Sequence, residues 1–155
     1  CAGVLVCAAI TRLARGKTDV VMMLNGALGG LVAITAEPLM PSPLMAIIIG
    51  GIGGALVFAG TELLVSLKID DVVGAIPVHL IAGVWGTLAV PITNPDTSFG
   101  TQLLGTASIC VFVFVVSLVI WAIMKATIGI RISEEAEKEG TDVAETGVIA
   151  YSIRD

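Results

Sequence analysis

Histidine occurs once in this chain, at His79, and charged side chains make up only 14% of its residues. Set beside a hydrophobic content of 56% and a mean hydropathy of +1.01, so little charge excludes an ordinary water-soluble domain. There is no basic run and no interleaving of basic with aromatic residues, which removes nucleic acid as a partner. The three cysteines, Cys1, Cys7 and Cys110, follow no metal-ligand spacing and lie in apolar surroundings, where thiols act as small hydrophobes. Neither a disulfide framework nor a metal site is expected from them. The net charge is −5, and its acidic excess collects between Ser133 and Asp155, so it describes a tail more than a fold.

What remains is apolar sequence in long runs. Four stretches reach the roughly 17–25 residues that a membrane crossing needs: Val20 to Ala36, Pro43 to Leu67, Val72 to Ile92 and Leu103 to Ile130. A fifth, Cys1 to Ile10, is too short, is followed by Thr11, Arg12, Arg15 and Lys17, and lacks the features of a signal peptide. It reads as the trailing half of a helix, which makes the chain the expected carboxy-terminal portion of a longer polypeptide. The expected class is an all-α membrane protein, a polytopic bundle over residues 1–130 followed by a tail over residues 131–155.

The cations orient the bundle. If the first segment ends in the cytoplasm, Arg12, Arg15, Lys17, Lys68, Lys125, Arg131, Lys138 and Arg154 all fall inside. The outer loops then carry only Glu37 and Asp96, with Pro38, Pro41, Pro43, Pro91 and Pro95 marking turns. Glycines recur through the spans at Gly26, Gly29, Gly30, Gly50, Gly51, Gly53, Gly54, Gly83 and Gly86, offering faces for close helix approach.

His79 lies at mid-depth in the third complete span, about 12–14 Å from its start. One reading is a hydrogen bond to a neighbouring helix. The other, favoured within a bilayer where ionisable groups usually face a cavity, relay or partner, is a functional group lining a pore. A neutral imidazole offers one donor and one acceptor, enough to handle a small polar molecule. Asp70 and Asp71 suit either a helix cap or a cation-attracting rim at the inner mouth. Pro77 removes a backbone donor and is expected to bend the helix beside His79. Ala75, one turn earlier, should share the histidine's face and is a candidate for pore lining.

Three blocks, in order, carry a family resemblance. The run Ile69-Asp70-Asp71-Val72-Val73-Gly74-Ala75-Ile76-Pro77-Val78-His79, followed by Ala82-Gly83-Val84-Trp85-Gly86-Thr87-Leu88, resembles the tenth transmembrane helix of the ammonium transporter (Amt/Mep/Rh) family. The run from Asn25 to Ala36 resembles the eighth helix, and the run from Ile128 to Val143 resembles the cytoplasmic tail after the eleventh. Leu80 stands where many members have glycine, Pro77 replaces a residue that is often glycine, and Thr146 replaces a tail histidine.

The resemblance implies a fold of two inverted five-helix repeats plus an eleventh helix, of which this chain would hold an incomplete second repeat. It further implies a homotrimer in the inner membrane with the carboxy terminus in the cytoplasm. Ammonium would be recruited outside and lose a proton, and ammonia with the proton, or ammonia alone, would cross a narrow hydrophobic pore past two histidines. His79 would be one of the two, while the second histidine, the outer gate and the recruitment aromatics would lie in the amino-terminal part. No catalysis and no cofactor are implied. The substrates would be ammonium, ammonia and methylammonium. The tail run Glu134, Glu135, Glu137, Lys138 and Glu139 is either a solvated charged segment or a subunit-coupling element, with PII signalling proteins as possible partners. An ammonium-sensing receptor on the same scaffold and an unrelated structural subunit are the alternatives.

Overall fold

The computed structural model describes residues 1–38 and 42–150. Pro41, Tyr151 and Arg154 therefore lie outside the described residues. The described residues form helices and no strand, in two compact units, Cys1–Cys110 and Val111–Asp155.

In the first unit, α1 (Ala2–Arg15), α2 (Val20–Ile34), α3 (Pro43–Ser66) and α4 (Ala82–Thr93) pack together, with a π-helical segment, Ile76–Ile81, leading directly into α4. Neighbours alternate in direction. Arg15, at the end of α1, pairs with Asp19 at 2.9 Å and also with Glu62 near the end of α3, and its guanidinium stands over the Phe58 ring. Toward the other end of the bundle the indole N–H of Trp85 on α4 donates to the Ile49 carbonyl on α3 at 3.0 Å.

Small residues allow the approach, as the glycine pattern suggested. A methyl group on Gly54 would stand 2.6 Å from both the Cα and the carbonyl oxygen of Gly3, so α1 and α3 meet backbone to backbone. Gly86 is pressed in the same way onto the backbone of Ala33, joining α4 to α2. Around these crossings Cys7, Met22, Val57, Val78 and Ala82 form one buried cluster, and Ala33, Ile49 and Ala89 another.

Several boundaries differ from the sequence expectation. Pro43–Ser66, Ile76–Thr93 and Phe99–Thr127 are long and apolar enough to cross a membrane, whereas α2 has 15 residues and stops at Ile34 rather than Ala36. Its last turn tightens because the Thr35 and Glu37 amides bond three residues back and the Thr35 hydroxyl caps the Val32 carbonyl, just ahead of Pro38. The first helix runs on past Ile10 to Arg15, where Gly16 ends it in the left-handed conformation. Pro91 marks no turn and lies inside α4, and Pro43 is the first residue of α3. Pro95 does sit in a turn.

A fifth helix, α5 (Phe99–Thr127), continues from the first unit into the second and buries none of its residues. It ends where both the Ile128 and Gly129 amides return to the Met124 carbonyl, Gly129 having φ +78°. In the second unit, Ser133 caps the short helix α6 (Glu134–Glu139) by accepting from the Ala136 amide, and Arg131 pairs with Glu137 at 3.0 Å. A π-helical turn, Asp142–Thr146, follows and ends at Gly147.

Candidate functional site

The span carrying His79 does not begin as a regular helix. Gly74 has φ +76°, a conformation that breaks the helical path, so the stretch expected from Val72 starts helical geometry only around Ala75. Asp71 bridges the break. Its Oδ1 accepts from the Ala75 amide at 2.9 Å and its Oδ2 from the Ile76 amide at 2.8 Å, placing a carboxylate on the first free N–H groups of the segment. Asp70 is exposed and borders a small pocket of about 160 Å³ with Thr61, Leu64, Val65 and Pro77.

Pro77 then removes the next amide, and hydrogen bonding lengthens: the Ala82 amide donates to the Pro77 carbonyl, five residues back. The outcome is a π segment rather than a simple kink. Its inward face buries Pro77 and Val78, and its outward face presents His79 and Leu80. His79 is exposed on this part of the bundle, and its imidazole has no hydrogen-bond partner among the described residues. Ala75 is exposed as well.

His79 borders an open cleft of about 290 Å³. Gly83, Val84 and Thr87 continue the wall along α4, and Gln102, Thr106 and Cys110 face it from α5. Ala75 does not line this cleft. The structure thus places His79 beside polar side chains that sequence reading did not single out, Thr87, Gln102 and Thr106. Gln102 had the clearest signal, as the lone glutamine of the chain. The arrangement can offer donors and acceptors to a small polar molecule while keeping a mainly apolar lining.

Comparison with known proteins identifies the scaffold. The model of the Ammonium Transporter Family matches residues 1–151. The chain belongs to that family. It is 37% identical to ammonium transporter Amt2 of Archaeoglobus fulgidus, over 97% of this chain and 36% of the relative, and 39% identical to ammonium transporter Amt1 of Haloferax mediterranei, over 88% of this chain and 28% of the relative. A solved structure named Sensor Amt Protein is similar with a TM-score of 0.86 at 30% identity, covering 94% of this chain and 39% of that one. The chain therefore spans about a third of the length of the curated relatives it matches. Within this ammonium transporter family scaffold, several apolar helices make it a multi-pass membrane protein.

Proposed function

We propose that this chain forms part of a conduit for ammonium, carried through the membrane as ammonia, with His79 as the polar contact along the route. The observation that carries the reading is a solitary imidazole on a π segment of a membrane-length helix, opening on a cleft whose other walls are mainly apolar. Neutral ammonia enters such surroundings at far lower cost than a bare cation, and a neutral imidazole can both donate to it and accept from it. Ammonium transporter relatives along nearly the whole chain support the substrate class. π segments also concentrate at functional sites.

The reading extends to the complete protein. It places residues 1–130 in the inner membrane, the tail from residue 131 in the cytoplasm, and three copies in one assembly. Ala75 borders the route between the cleft at His79 and its inner mouth, where Asp70 stands. The tail couples subunits and is the surface for a PII signalling protein. No covalent step is involved.

The test is uptake of methylammonium by the complete protein in proteoliposomes. Saturable uptake competed by ammonium is expected, and His79→Ala is expected to change its rate or selectivity with assembly intact. Uptake equal to that of empty vesicles overturns the reading. A second reading, an ammonium sensor on the same scaffold, is favoured by the similarity to the structure named Sensor Amt Protein. Saturable ammonium binding without flux would select it.

A further inference from the structure

In a continuous α-helix the carbonyl of Val73 would accept from the amide of residue 77. Residue 77 is proline and has no N–H to give. The carbonyl is nevertheless paired, because the side-chain amide of Asn25, on α2, donates to it at 3.1 Å. A donor from a neighbouring helix thus holds a carbonyl that the break at Gly74 turns out of the helical path. The fit is close: a methyl group on Gly74, the next residue, would stand 2.6 Å from the Asn25 Nδ2.

We propose that Asn25 is a positioning residue for His79, a role that rests on the reading of His79 as the polar contact of the route. The turn before the π segment is held from two sides, by Asn25 at the Val73 carbonyl and by Asp71 at the Ala75 and Ile76 amides. The Val78 amide then donates to the Gly74 carbonyl at 3.1 Å and starts the segment. Each helical residue turns the chain by about 100°, so a modest rotation at Val73 swings the imidazole six residues on. Losing the Asn25 amide removes the side-chain hydrogen bond that ties α2 to this turn and frees that rotation. α2 thereby sets the aim of a side chain on another helix.

The experiment is a double-substitution cycle on methylammonium flux by the complete protein in proteoliposomes. Asn25→Leu is expected to lower the maximal rate about tenfold, as misplacement of a reacting group does, with little change in the half-saturating concentration. Asn25→Gln, which keeps the amide, is expected to retain most of the rate. Asn25→Leu combined with His79→Ala is expected to be no slower than His79→Ala alone, because the two act through one group. Independent, multiplying losses overturn the proposal, as does an unaltered rate in Asn25→Leu. If Asn25→Leu does not assemble, Asn25→Ala, which removes the amide without adding bulk, takes its place in the cycle. Coupled losses then support the proposal, and independent losses or a second failure to assemble overturn it. Absent wild-type flux, or a His79→Ala protein that matches wild type, overturns the underlying transport reading instead and takes this role with it.

Discussion

The thiol of Cys7 donates to the carbonyl oxygen of Gly54 at 3.1 Å, across the crossing of α1 and α3. Cys7 is fully buried, and a methyl group on Gly26 would stand 2.5 Å from its sulfur, so the site admits a small donor and nothing larger. Cys7→Ser is expected to stay within about 1 kcal/mol of the parent stability, whereas Cys7→Leu is expected to lose about 1–3 kcal/mol by overpacking. Thermal unfolding of the complete protein in detergent measures both.

Two glycines of α3 three residues apart, Gly51 and Gly54, should respond with opposite sign. Alanine at Gly54 meets only the backbone of Gly3, which cannot swing away, and is expected to cost about 1–3 kcal/mol. Alanine at Gly51 meets Val6 Cγ2 at 3.5 Å and Ala2 Cβ at 3.7 Å, ordinary contact distances. There the gain in helix propensity dominates, and about 0.5–1 kcal/mol of added stability is expected from the same unfolding measurement.

Lys68 ends α3 in a conformation that glycine favours. Its φ is 56°, its amide bonds the Val65 carbonyl, and the Ile69 amide reaches the Leu64 carbonyl at 3.0 Å, the paired bonds of a Schellman cap. Lys68→Gly and Lys68→Ala remove the same charge, so their difference isolates the backbone. Glycine is expected to be the more stable by about 1 kcal/mol, the reverse of the order expected if alanine continued the helix, and unfolding midpoints decide it.

In the tail, the Ala150 amide donates to the Asp142 carboxylate at 2.7 Å and holds its pKa below the usual aspartate value. A carboxylate depressed on folding contributes its full stabilisation above the unfolded pKa of about 3.9 and loses it as pH falls through the lower, folded value. Protection of the Ala150 amide from hydrogen exchange, referred to its intrinsic rate at each pH, is expected to hold at neutrality and vanish in that acid window. Asp142→Ala is expected to lack the protection at every pH.

Apolar length and cation placement made the bundle and its alternating helix directions legible in the sequence, because crossings of a membrane leave coarse, additive signals. Helix ends were less so. Val20–Ile34 stops two residues early because Thr35 turns its hydroxyl back on Val32, a choice that hydropathy does not register. Pro91 continues a helix that its residue type suggested it would end. At the candidate site, His79 and Pro77 announced themselves as the exceptions in an apolar run. Asn25 did not, for its meaning lies in a carbonyl 48 residues away that only the folded chain brings to it. Thr106 was silent for the same reason, reaching the cleft from another helix, and Gln102 signalled only as the lone glutamine.

The π segment also behaves as an insertion that the fold has absorbed. Lengthening the hydrogen-bond ladder to five residues accommodates one more residue than an α-helix would hold between Gly74 and Ala82. Deleting a single residue there would leave an unbroken hydrophobic span of nearly the same composition. It would nonetheless let the segment revert to an α-helix, with the Asp71 cap and the Trp85 clamp kept in place and the residues between them, His79 included, turned by up to about 100°. Length in this helix is therefore a setting of angle, and a change invisible to hydropathy would turn the imidazole toward a different neighbour.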